Sequence, residues 1–239
     1  MLLRKMISVT SGWARLSPET QRLTKLSLVE FVQAGSDGAR VGRRVMSAVV
    51  DVIGDLAGVI IRRGEWGELL PLLVQWTSAT SGAAGGMSLR EAALMILRSL
   101  CVSIDDVLRQ HVSSLCDILQ ACLNHPAILQ NASAKQSPPS WILPEIVATL
   151  HLASSVIHLI SINNDGDDDE DGSCHHSSSG AHNMMAVISK LVPGMIVGME
   201  IIHSTENNDV RIPKPCVYPC LYLILRDNVC QFVVDCGRS

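Results

Sequence analysis

Apolar residues over the first two hundred positions recur at helical spacing rather than in strand-like alternation. Leu2, Leu3, Met6 and Ile7 form a stripe that predicts a helix over 1–10. Ser17-Pro18-Glu19 reads as a helix start, with Ser at the N-cap, Pro at the first helical position and an acid in the first turn. Leu23, Leu26, Val29 and Val32 then mark one face, and Gly35-Ser36-Asp37-Gly38 predicts a turn. A long apolar helix is expected over 41–61, VGRRVMSAVVDVIGDLAGVII. Another is expected from Trp66 to Ser78, kinked at Pro71. Residues 78–86 are rich in Gly, Ala and Ser and read as a flexible insert.

The second long segment, SLREAALMILRSLCVSI at 88–104, opens on a capping box of Ser88 and Glu91. One helix is then expected over 105–123, with Val107, Val112, Leu115, Ile118 and Leu119 as its stripe. Residues 124–140, with Pro126, Pro138 and Pro139, read as a loop before a helix over 144–160. Residues 163–183, NNDGDDDEDGSCHHSSSGAHN, carry too little apolar surface to offset the entropy of ordering them and are expected to be disordered. A last helix is expected over 184–202, bent at Pro193 and Gly194. The character changes at His203: LYLIL at 221–225 and CQFVVDC at 230–236 look like short strands in an irregular tail.

Two of these helices are led by arginine. Aligning Arg43 with Arg90 places Val45 over Ala92, Met46 over Ala93, Val49 over Ile96 and Val50 over Leu97, an offset of 47 residues. That offset lies in the range of helical-pair repeats. The fold expected for residues 1–202 is therefore all-α, a HEAT-repeat α-solenoid of about four stacked antiparallel helix pairs. Residues 203–239 form a separate irregular tail. An array of this kind offers a long surface to other proteins rather than a buried catalytic cleft.

Composition agrees. Hydrophobic residues make up 47% of the chain but aromatics only 3%, a balance that suits helix-on-helix packing. The formal charge of −4 gives no reason to expect nucleic acid as a partner. Positive charge gathers early, at Arg40, Arg43, Arg44, Arg62 and Arg63, and negative charge late, at 165–171. Met1–Ile7 does not read as a secretory leader. Cys101, Cys116 and Cys122 fall in apolar helical patterns, so a reducing compartment is expected. Residues 142–162 are long enough to span a membrane, but Pro144, Glu145, His151 and His158 favour a buried helix over insertion.

Candidate chemistry is sparse. Asp165 to Asp171 does not fit a calcium loop, because position six would be Glu170 and position twelve His176. Cys174, His175, His176 and His182 lack a partner cluster at defined spacing. Cys216, Cys220, Cys230 and Cys236 could close a tetrahedral zinc site, but incidental cysteines are the favoured reading. Gly82 to Gly86 is followed by Met87-Ser88-Leu89, so no phosphate-loop lysine is present. No enzyme, cofactor or metal is expected. Arg43, Arg44 and Arg90 are candidates for contacts to a partner or between repeats, the second being favoured. Trp66 and Trp76 are read as core packing before partner pockets.

Several strings, in order, resemble the N-terminal HEAT repeats of the karyopherin-β nuclear transport receptors, most nearly their importin-5 branch. They are MLLRK at 1–5, LSPETQRLTKLSLVEFVQ at 16–33, RRVMSAVVDVIGDLA at 43–57, EWGELLPLLVQWTSA at 65–79, SLREAALMILRSL at 88–100 and RQHVSSLCDILQACL at 109–123. The resemblance covers roughly 1–130 and fades by about 200. It implies a nuclear import receptor that binds the GTP form of the Ran GTPase, cargo proteins with nuclear localisation signals, and phenylalanine-glycine nucleoporins, moving between cytoplasm and nucleus. It also implies that the chain holds only a handful of the family's repeats, starting inside an early one. The alternative is a cytosolic HEAT-repeat scaffold or regulatory subunit without transport activity.

Overall fold

The computed structural model describes residues 10–37, 41–79, 86–125, 142–161 and 189–202. These are helices and their connections, with no strand among the described residues. After a short helical turn at Thr10–Trp13 come α1 (Pro18–Asp37), α2 (Arg43–Ile60), α3 (Leu69–Thr77), α4 (Leu89–Ser103), α5 (Val112–Leu123), α6 (Ile142–Ser161) and α7, residues 189–202. The expectations for residues 1–9, 163–183 and 203–239, including the four tail cysteines, lie outside the described residues.

The helices pair in sequence: α1 packs on α2, α3 on α4, and α5 on α6. The long second members also pack on one another, α2 against α4 and α4 against α6. The contacts between α2 and α4 advance in the same direction along both helices. Arg43 at the head of α2 meets Glu91 at the head of α4, Gly54 faces Ser99 and Gly58 faces Ser103. Ser88 and Arg90 at the head of α4 meet Glu145 at the head of α6. So α2, α4 and α6 run parallel, side by side. A methyl group on Gly54 would sit 2.7 Å from Ser99 Oγ, so glycine sets how closely α2 and α4 approach. The core fills the space between these helices and their partners. Met46, Ile53, Leu56, Ile60, Leu94 and Leu97 are all at most 1% exposed.

α1 differs from expectation in two ways. It runs through Gly35 to Asp37 instead of ending there. Gly35 lies against Met46, so its missing side chain serves close packing rather than a helix stop. The expected stripe is buried only towards the end of the helix: Val32 is buried, joined by Ser36, and Val29 is half-buried, whereas Leu23 and Leu26 are 49% and 43% exposed. Ser36 Oγ donates to Val32 O at 2.8 Å, which satisfies a buried hydroxyl inside the helix.

The helix expected from Trp66 begins only at Leu69. Gly64 ends the preceding 3₁₀ turn at φ 72°, the left-handed cap that glycine adopts without strain. Trp66 follows at φ 82°, a strained backbone offset by burial of its indole, which is 5% exposed. Pro71 thereby falls in the first turn of α3, where its missing N–H has no intrahelical partner to lose, and no kink is needed. The helix expected over 105–123 is likewise divided into a turn at Asp105–Leu108, a 3₁₀ segment at Arg109–His111, and α5. Arg62 holds the first turn to the end of α2, through Asp105 at 3.5 Å and Asp106 at 3.2 Å. α5 packs instead on α6, and the chain bends between these two attachments.

Candidate functional site

The residues singled out by sequence gather mainly at the common head of α2, α4 and α6. Ser88 caps α4, and its hydroxyl accepts from the Glu91 N–H at 3.1 Å. The reciprocal half of a capping box is replaced, because the Glu91 side chain pairs with Arg43 on α2. The Ser88 hydroxyl donates onward to Glu145 Oε1 of α6 at 2.5 Å. Arg90 completes the chain. It lies 3.6 Å from Glu145 Oε2 and donates to the carbonyls of Thr77, at 2.9 Å, and Ala79, at 2.8 Å, at the end of α3. A continuous polar ladder therefore runs Arg43–Glu91–Ser88–Glu145–Arg90 across three helices.

The ladder is dry on one side. The Glu91, Glu145 and Arg90 side chains are 4%, 6% and 9% exposed, while Arg43 is 44% exposed. Burial pushes the Glu91 carboxyl up to about 7; Arg43 opposes the shift and Glu145 reinforces it. Such groups contribute register more than raw stability, because desolvation cancels much of the attraction. Removing Arg90 is another matter, since it takes an ion-pair partner from the buried Glu145 carboxylate.

Arg43 and Arg90 are thus engaged between helices, whereas Arg44 is exposed. Trp66 and Trp76 are buried in the core, 5% and 3% exposed. Three participants escaped the sequence reading. Glu145 was visible as a lone acid in an apolar helix, but it counted there only as an obstacle to membrane insertion. Glu91 was read as a cap residue alone. Trp13 is 2% exposed and donates from Nε1 to Glu65 Oε2 at 3.1 Å, a link across 52 residues that no local pattern signals.

Ile142–Ile160 is long and apolar enough to cross a membrane by length and composition, yet 67% of it is buried inside the protein and it carries the paired Glu145. Burial also pushes the thiols of Cys101 up to about 12, and of Cys116 and Cys122 up to about 11, so all three stay protonated at neutral pH. Among the described residues no group of three or more His, Cys, Asp or Glu side chains is placed to hold a metal ion. A shallow recess beside Arg90, between α3 and α5, is lined by Val74, Thr77, Asp117, Ile118 and Cys122. No family model, curated protein or solved structure matches this chain.

Proposed function

We propose that this chain is a solenoid of stacked helix pairs that binds other proteins, and that it serves as part of a nuclear import receptor of the karyopherin-β kind. On this reading it engages Ran in its GTP form, cargo proteins with nuclear localisation signals, and phenylalanine-glycine nucleoporins, and works in both cytoplasm and nucleus without catalysing a reaction. One observation carries the reading. Three parallel helices are joined head to head by the same kind of contact, Arg43 to Glu91 and then Arg90 to Glu145. A contact repeated from unit to unit is what a one-dimensional stack requires, since each pair buries its apolar face only against its neighbours. The ordered strings from MLLRK at 1–5 to RQHVSSLCDILQACL at 109–123 support the family within that architecture.

Hydrogen exchange on the full chain tests the proposal by location. Ran loaded with a non-hydrolysable GTP analogue should slow exchange at amides of the stacked helices, and Ran-GDP should change nothing. Identical exchange with and without the GTP form would leave the chain as a scaffold without transport activity.

A further inference from the structure

The ladder ties α4 to α6 at their heads. Further along, the same seam carries a different pair of groups. Arg98 follows Arg90 on α4, and His151 follows Glu145 on α6. At about 1.5 Å per residue both lie about two turns beyond the ladder, so in parallel helices they come level with each other.

His151 Nε2 is closed off from solvent and has no hydrogen-bond partner, the one such side-chain atom among the described residues. Buried polar groups are paired as a rule, so an orphan in a helix seam needs a reason. Its neighbours in sequence, Leu150 and Leu152, are fully buried. Burial first, and Arg98 second, hold the imidazole down at about 4. The other elements against α6 offer it no counter-charge among the described residues. α5 brings the protonated thiols of Cys116 and Cys122, and its Asp117 is exposed. α7 approaches Leu150 through Gly198, with Lys190 and Glu200 exposed. On α6 itself Glu145 is held by Ser88 and Arg90, and His158 is exposed.

We propose that His151 is a proton-operated latch in the α4–α6 seam. While the ring is neutral the two helices close over it. Once protonated it stands beside Arg98 as a second cation, and α6 swings away from α4 with the ladder at their heads as the pivot. Opening hydrates Nε2 and returns the group to its ordinary 6.5, so acid drives the open form. The contribution of neutral His151 is complete above pH 6.5 and is lost as pH falls through about 4. For one such proton the open fraction should rise about twenty-fold between pH 7 and pH 5.

Hydrogen exchange on the full chain, corrected for intrinsic rates at each pH, tests the latch. Undocked turns fray, because a helix of this length holds poorly without packing. Between pH 7 and pH 5, protection over 98–103 and 151–160 should therefore fall about twenty-fold, while 92–95 and 146–149 beside the ladder keep theirs. His151→Leu should abolish the fall. Arg98→Met should reduce it several-fold, and because Arg98 is exposed this variant leaves the core intact. Protection independent of pH in the parent would overturn the proposal. So would a full fall retained in either variant, or an equal loss beside the ladder, which would mean unfolding rather than a pivot.

Discussion

Replacing Arg90 with methionine keeps most of the aliphatic stem and removes the guanidinium. In the folded protein Arg90 is 8% exposed, and it serves two carbonyls and one carboxylate. Each hydrogen bond from a charged donor is worth about 1.5–3 kcal/mol net, and breaking a buried ion pair costs about 3–5 kcal/mol. The lower half of that range is expected, because Glu145 keeps the Ser88 hydroxyl and the carbonyls at the end of α3 can recruit water. At about 2–4 °C per kcal/mol for a chain of this size, Arg90→Met should lower the melting temperature by about 10 °C. The reasoning makes a second demand. Arg90→Met/Glu145→Met removes both charges, so it should recover at least half of the loss despite carrying an extra substitution. Urea unfolding at pH 7, followed by circular dichroism for parent, both single variants and the double, gives the coupling energy directly. A loss below about 1 kcal/mol for Arg90→Met, or a double variant weaker than the sum of the singles, would refute the ladder as an energetic unit.

Three further outcomes follow from the same packing. Glu91 has its folded pKa raised to about 7 from 4.5, so its stabilising contribution is complete below pH 4.5 and lost as pH rises through 7. Glu91→Gln should therefore exceed the parent in unfolding free energy from urea titration at pH 8, by as much as about 3 kcal/mol, with the gap closing as pH falls to 4.5; a gap that widens in acid would contradict this. Gly54→Ala should cost about 1–3 kcal/mol by forcing α2 from Ser99, and Gly54→Ala/Ser99→Gly should restore most of it, as thermal melts of both variants would reveal. Ala93 is fully buried, so Ala93→Asp should cost several kcal/mol, roughly, and a variant melting like the parent would place residue 93 on the wrong face of α4.

Local chemistry made some parts of this fold legible. Ser88 and Glu91 mark the start of α4 because a cap acts within four residues, and α2 was visible because its apolar stripe is buried along its whole length. The 47-residue alignment placed Met46 and Ala93 correctly, since both are buried. It placed Val45 over Ala92 less well: Val45 is 52% exposed and Ala92 is buried, because α4 is packed from both sides by α2 and α6 whereas α2 is not. Gly35 as part of a turn and Trp66 as a helix start were misread for a related reason. Each takes its conformation from a distant contact or from burial, which local propensity cannot encode. The partnership of Arg90 with Glu145 spans 55 residues and three elements, so the sequence named one end of it and missed the other.

The claim at the centre is nucleotide-dependent binding of Ran, and isothermal titration of the full chain against Ran in its two nucleotide states tests it most directly. The account predicts measurable but weak affinity for the GTP form, a Kd of about 1 μM or above, because only a few repeats contribute to an interface whose strength lies in a few hot-spot contacts. Ran-GDP should give no detectable heat. Equal affinity for both forms, or no binding of either at concentrations of about 100 μM, would contradict it.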